Sequence, residues 1–572
     1  MPARLPVKPI MDDTGKAVFS RRQWVGLALP AAAISAGSGL LAARAGAGEP
    51  PASPAASNDN LYGARVYNIR DFGAKGDGAT LDTVALQTAI DACNRDRGGT
   101  VLVPAGVFVI GSVELRSNVT LHIVAGGKLL GSGDGKQYFA SDKIPLTGGW
   151  TMGDGNVGLL FAANAENITV EGPGTIDGNG AQFRPATRGA TPPSGVGGHR
   201  RPYHLLFYQC RNLTIRDVTC IDGAYHSIRV CLCIGVKLDG IRIHSRILSN
   251  NDGFHFIGSQ YVHVSNCDVQ CGDDACALFG SCKFVTVTNS SFSTRWSVFR
   301  FGGGEAENIT VSNCLIYETY GCPIKLRCSS GSRFENMSFS NIVMQNVSGP
   351  ISIGLGPMRP GTGADGPPGI VRNISFNGIH AVVSGPQPLP PYAASRNPGE
   401  MLSGIILNGM DAGFIENVSF NDVHVTFPGG GTAEQGARRD IPKIAGEYYA
   451  IGVPPAWALF ARNVRGLTLR NMRFETTTPD LRPAVVFDHA TDVAMNGFSV
   501  PGNPGAESLL RFNETREVLM SAGRVLTPAS VFLQVEGAGS GAIMIDRGDL
   551  SKAATPLAFK AGATEPSVKW RA

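Results

Sequence analysis

Three aspartates, Asp252, Asp273 and Asp274, stand in the strings Asn250-Asn251-Asp252-Gly253 and Gly272-Asp273-Asp274-Ala275. Carboxyl groups crowded within a few ångströms divide the labour of hydrolysis: one stays protonated to donate, another ionises to activate water. That division is what splitting a glycosidic bond requires. It needs a scaffold that brings positions 252 and 274, 22 residues apart, onto one surface.

The scaffold is legible as a repeat. Short alternating segments recur as Asn167-Ile-Thr-Val, Asn212-Leu-Thr-Ile, Gly235-Val-Lys-Leu, Tyr261-Val-His-Val, Phe284-Val-Thr-Val, Asn308-Ile-Thr-Val, Asn336-Met-Ser-Phe, Asn373-Ile-Ser-Phe, Asn417-Val-Ser-Phe, Gly466-Leu-Thr-Leu and Asp492-Val-Ala-Met. From 212 to 336 their starts are 23, 26, 23, 24 and 28 residues apart, room for β segments of period two but not for a helix. One such unit cannot bury its own apolar face, so units must stack. Parallel strands about 4.8 Å apart then form an all-β, single-stranded, right-handed parallel β-helix. Later intervals lengthen to 37, 44 and 49, the excess lying in Gly- and Pro-rich stretches from Gly354 to Gly369, Ser384 to Pro398 and Gly429 to Pro455. These are expected to be loops leaving one edge of the coil, long enough to wall off one end of a groove and favour exo action. The recurrent Asn is expected to stack into hydrogen-bonded ladders at the turns, so Asn-X-Ser/Thr strings are no evidence of glycans.

The stack also predicts a column. With Asp252 aligned to Asp274 and Phe256, Leu278, Phe301 and Leu326 inward, Arg229, His255, Ala277, Arg300 and Lys325 fall on one outward line. Four of these five side chains can be cationic, and like charges about 5 Å apart repel unless a carboxylate lies against them. An acidic sugar supplies that charge, as do Asp273, Asp274 or a loop Glu. Asn251 joins the expected substrate contacts. Tyr225, His226 and Trp296 offer flat faces to sugar rings or serve as packing.

The 73 Gly, 36 Pro and 43% hydrophobic residues suit a turn-rich all-β chain of 572 residues, and a solenoid of that length is one domain. Fifty basic against 46 acidic residues, net +4, is too even to imply a nucleic-acid or membrane partner. Ser20-Arg21-Arg22-Gln23-Trp24 ahead of the apolar run from Val25 to Ala43 has the form of a twin-arginine signal, with small residues at 43–47 for cleavage. Residues 1–47 are therefore expected to be a signal peptide, 48–60 a linker and 61–572 the β-helix, exported to the periplasm or beyond and acting as a monomer. The twelve cysteines, all between Cys93 and Cys328, are expected either to pair between neighbouring coils, Cys231, Cys233, Cys267 and Cys271 among them, or to fill the core as thiols. No Cys/His spacing matches a zinc site, and neither a metal nor a cofactor is expected.

Asn68-Ile-Arg-Asp-Phe-Gly-Ala-Lys-Gly-Asp-Gly78, the helix-like run from Thr83 to Ala92 and Gly98-Gly-Thr-Val-Leu-Val-Pro-Ala-Gly106 resemble the N-terminal cap and first coil of pectin-degrading β-helix enzymes. The two aspartate strings at one-coil spacing narrow the resemblance, over about residues 61–500, to glycoside hydrolase family 28, the polygalacturonases. The resemblance implies inverting hydrolysis of galacturonate-containing polysaccharide, with Asp274 as general acid and Asp252 and Asp273 holding and activating water. Two family features differ here: Gly-His-Gly is replaced by Arg295-Trp296-Ser297, and Arg-Ile-Lys by Pro323-Ile324-Lys325. His255 is the expected substitute for the absent histidine. A uronate or a rhamnose at the cleavage point both stay open, as do a lyase or epimerase on the same fold and a non-catalytic carbohydrate-binding β-helix.

Overall fold

The computed structural model describes residues 63–145, 157–183, 201–357, 366–384, 398–446 and 448–571, with the short strands Ile10–Met11 and Ala17–Val18. The chain divides into two units, Met1–Ser57 and Asn58–Ala572. In the first, the two short strands pair antiparallel. The expected signal peptide and linker otherwise lie outside the described residues. Among the described residues no helix is long and apolar enough to cross a membrane.

The second unit is a parallel β-helix made of one 15-stranded and one 25-stranded sheet. Its cause is the period-two pattern. In Asn308-Ile-Thr-Val, Ile309 and Val311 point inward and are buried while Thr310 faces out, and every coil repeats that choice in register with its neighbours. Inside, identical positions stack: the Phe339, Phe376 and Phe420 rings lie 5.1 and 4.8 Å apart and nearly parallel. From residue 305 onward, two strands of a coil merge into single bent strands such as Glu305–Thr319, Arg333–Val347 and Ile415–Phe427.

The repeat-opening residues have a second explanation besides their ladder. Every one of those named above, from Asn167 to Asp492, has a positive φ between 51° and 73°. Only Gly, Asn and Asp enter that left-handed region at low cost. The ladder is present as well: Asn212 Nδ2 donates to Asn167 at 2.8 Å, Asn373 to Asn336 at 3.1 Å and Asn417 to Asn373 at 3.2 Å. Tyr261 and Phe284 break the rule, and their rings compensate by stacking on each other at 4.9 Å, 6° from parallel.

At the N-terminal end, Asp82 accepts hydrogen bonds from the Lys75 and Gly76 amides, fixing the turn that starts the helix Thr83–Arg95. That helix buries Leu86, Ala89, Ile90 and Cys93 against the first strands, which supplies the cap. It runs three residues further than the expected end at Ala92. All twelve cysteines are free thiols, eleven of them buried, so the core-filling alternative holds and the disulfide pairs do not form.

The two sheets differ in a way that locates the site. Strands of the larger sheet alternate buried and exposed, whereas Ile228–Cys231, Phe254–Ile257, Phe299–Gly302 and Ile324–Cys328 of the smaller sheet are buried almost throughout. A sheet buried on both faces is covered by something outside the coil. Towards the C-terminus the cover is the segment 429–456, expected as loop, whose Ile441, Ile444, Ile451 and Ala456 pack on the outward Ile406, Phe460 and Val486. It contains two one-turn helices, Ala433–Gly436 and Tyr448–Ile451. Arg327 Nε donates to the Ala445 carbonyl at 2.8 Å, Asn408 Nδ2 to those of Pro442 and Ile444, and Arg462 to those of Ile441 and Pro442. Towards the N-terminus, Ile144 packs on the outward Phe161 and Leu206. Of the other two long insertions, residues 358–365 and 385–397 lie outside the described residues.

Candidate active site

Between the two apolar covers the outward line of the smaller sheet is polar. Strand register pairs Arg229 with His255, His255 with Ala277, Ala277 with Arg300 and Arg300 with Lys325, the column expected from spacing. The aspartates sit at the turn just before these strands. Asn251 sets that turn: its side chain accepts from the Leu248 amide at 2.6 Å and donates to the carbonyls of Gly223 and Tyr225, both at 2.9 Å. Its own carbonyl accepts from the Gly272 and Asp273 amides, while the Gly253 amide donates to the Asp274 carbonyl at 2.9 Å. A Cβ on Gly253 would come within 2.5 Å of the Ala275 carbonyl oxygen, so the coils approach this closely only with glycine there. These bonds stack Asp252 beside Asp273 and Asp274. They also correct one expectation: the Asn251 amide is fully engaged with backbone and is a brace for the turn, not a sugar contact.

The acids perturb one another. Burial first, and then the charge of Asp274, push the Asp252 carboxyl well above the usual carboxylate range. Burial, then Asp252 and Asp274, do the same to Asp273. Cations oppose this: Arg300 Nε lies 3.9 Å from Asp274 Oδ2, the charges of Arg229, Arg201 and Arg300 favour ionised Asp252, and that of Lys325 favours ionised Asp273. Asp252 and Asp273 thus hold their protons more tightly than free carboxyl groups and titrate as interacting neighbours of Asp274, a setting in which general acid and base chemistry can arise. Arg229, Lys325 and Arg300 are 1, 3 and 6% exposed, so the aspartates themselves supply part of the counter-charge this column requires. His255 is not a fourth cation, because burial and the neighbouring Arg229 lower its pKa to about 3.

Of the two alternatives for the rings, Tyr225 and His226 take packing. Arg201 lies over Tyr225 at 4.3 Å, Tyr225 on His226 at 4.2 Å, His226 on His255 at 4.5 Å, His255 on Phe279 at 5.1 Å, and Arg300 over Phe279 at 5.4 Å. Each aromatic pair contributes about 0.5–1.5 kcal/mol. Tyr225 and His226 are buried with their faces occupied, so they present no flat face to a sugar ring. Trp296 is half-buried, with Lys325 Nζ 4.7 Å above its ring. Arg201, Asn250 and Phe279 belong to the site and were missed in the sequence. Phe279 carried a signal, two residues beyond Ala277 on the same face of its strand. Asn250 carried one too, next to Asn251; its Nδ2 lies 3.5 Å from Asp273 Oδ2. Arg201 had none.

His226, Asp252 and His255 also place one donor atom each within 4.8 Å of one another, a possible chelating set among the described residues. Both imidazoles are held neutral, as ligands must be, yet the charges of Arg229, Arg201 and Arg300 around Asp252 oppose a dication there.

Residues 93–392 match the family model described as glycosyl hydrolases family 28. The chain belongs to that family. Polygalacturonase-2 of Solanum lycopersicum is 26% identical over 320 residues, 52% of this chain and 65% of that protein, and the exo-poly-alpha-D-galacturonosidase of Dickeya chrysanthemi is 26% identical over 50% of this chain and 56% of its own. The match thus spans less than two thirds of either relative. Among solved structures, the exopolygalacturonase of Thermotoga maritima superposes with a TM-score of 0.55 at 20% identity, over 72% of this chain and 92% of that one, and supports the fold.

Proposed function

We propose that this chain is an exported, inverting and exo-acting glycoside hydrolase of pectin-type polysaccharide, with Asp274 as general acid and Asp252 and Asp273 as the groups that hold and deprotonate water. The observation that carries the reading is the trio itself: three carboxyl groups stacked at one turn, the proton affinity of Asp252 and Asp273 raised by burial and by their neighbours, beside buried Arg229, Arg300 and Lys325 on one sheet face. Cations in that number suit a uronate better than a neutral sugar, because a buried cation costs free energy unless carboxylates face it. The polygalacturonase relatives point to the same substrate class. Exo action is supported by the segment 429–456, pinned over the face only two strands beyond Lys325. Export rests on the paired arginines at 21 and 22.

Incubation with de-esterified pectin tests this. New reducing ends are expected, with no ultraviolet-absorbing unsaturated product, a first-formed anomer of inverted configuration by proton NMR, and little early loss of viscosity. An unsaturated product would mean elimination, and binding without turnover a lectin-like module.

A further inference from the structure

The arginine-capped ring stack meets one catalytic candidate. Its two central members approach Asp252 with their edges: His255 Nδ1 lies 2.8 Å from Asp252 Oδ2, and His226 Nε2 lies 3.6 Å from Asp252 Oδ1. Each carboxylate oxygen thus faces one imidazole. Both histidines are buried, and neither can turn, since His226 is clamped between Tyr225 and His255 and His255 between His226 and Phe279. Among the described residues neither ring nitrogen of His226 has a hydrogen-bond partner, so the stack alone holds its Nε2 edge toward Asp252 Oδ1.

We propose that His255 and His226 are positioning residues for Asp252, held edge-on by the stack so that His255 Nδ1–H fixes one carboxylate oxygen and His226 lies beside the other, leaving the base in a single orientation toward water. This rests on the reading of Asp252 as a base of the hydrolysis. The groups facing Asp252 are His255 on its own coil; His226 and Arg229 on the coil before and Arg201 one coil earlier; and Asp273, Asp274 and Arg300 on those after. Burial keeps both imidazoles neutral, so His255 contributes a hydrogen bond and not a charge, and His226 a neutral edge beside the other oxygen. A hydrogen bond to the ionised carboxylate is stronger than one to the acid, so His255 lowers the pH at which Asp252 ionises.

The test compares His255→Leu with His255→Asn on the de-esterified oligosaccharide that the wild-type protein hydrolyses, following kcat and KM across pH. His255→Leu is expected to lower kcat by about 10- to 100-fold with KM nearly unchanged, and to move the acid limb of the pH profile upward by about one to two pH units. Asn places an amide N–H near Nδ1, so His255→Asn is expected to return the limb toward its wild-type position. Phe279→Leu, which removes the clamp without touching Asp252, is expected to move it upward by a smaller amount. Should His255→Leu not fold, His255→Asn and His255→Gln carry the same comparison, since Gln places its N–H near Nε2 and should not restore the limb. A limb that stays put in a folded His255→Leu or His255→Gln overturns the proposal. If Asp252→Asn itself retains wild-type turnover, it is the assignment of Asp252 that fails, so the two failures are told apart.

Discussion

Replacing Lys325 by Met keeps the length of the side chain and removes its charge. Lys325 is 3% exposed and next in register to Arg300, with its ammonium over Trp296, so solvent screens the charge little and its loss is felt by whatever carboxylate faces it. If that is a uronate of the substrate, one hydrogen bond to a charged group is lost, about 1.5–3 kcal/mol. At about 1.4 kcal/mol per decade, KM for an acidic oligosaccharide should rise about 10- to 150-fold. The same oligosaccharide with its carboxyl groups reduced to alcohols should change by less than about threefold, because no charge is there to lose. A second effect separates the roles. Lys325 also favours ionised Asp273, so without it the Asp273 carboxyl rises further, and the acid limb of the kcat profile should shift to higher pH on both substrates. Steady-state kinetics on the matched pair decide the matter. Equal losses of KM on acidic and reduced substrates would refute recognition of a uronate and leave Lys325 as a partner of Asp273 alone.

Asp274→Asn should cut turnover by several orders of magnitude in a folded protein, since an amide has no proton to give; a variant keeping a tenth of wild-type activity would move the acid elsewhere. Asp252→Asn should raise the melting temperature, and more so as pH rises. The folded carboxyl holds its proton to higher pH than the unfolded one, so wild-type stability falls as pH climbs through that window and Asn removes the dependence. Differential scanning calorimetry between pH 4 and 8 checks this, a gain that is constant or shrinks with pH being the contrary result. Arg327→Ala combined with Asn408→Ala removes three of the bonds that pin segment 437–446, and the ratio of viscosity loss to reducing ends should rise. An unchanged ratio places the end wall on other residues.

How much of this was legible from the residues depended on whether a side chain acts through period or through shape. The coil stack, the column from Arg229 to Lys325 and the meeting of Asp252 with Asp273 and Asp274 all follow from alternation and a repeat length, and they stand as expected. The choice between packing and a sugar-facing role for Tyr225 and His226 did not follow, because ring stacking depends on rotamers that no period encodes. Asn251 was misassigned for the opposite reason: an Asn beside a reactive Asp suggests a ligand, while its bonds go to backbone one coil away. The ladder asparagines were ascribed to their side chains alone, although the positive φ of the turn selects them equally, as Gly235 and Gly466 at equivalent positions show.

The covered ends of the smaller sheet have a consequence for how such a groove changes length. The polar stretch, with outward residues from Arg229 to Ser352, is bounded by Leu206 on one side and Ile406 on the other, one strand per coil. Its span is therefore a whole number of coils, about 4.8 Å each. A single inserted residue would reverse which side chains face out and ruin both surfaces. A complete inserted coil, by contrast, would lengthen the groove by one step while the aspartates and the caps kept their own neighbours. Substrate length is in this sense counted by the chain in integers, and a change in the number of sugars accommodated is expected to arrive by duplication of a coil or by relocation of the segment that covers the end, not by gradual widening.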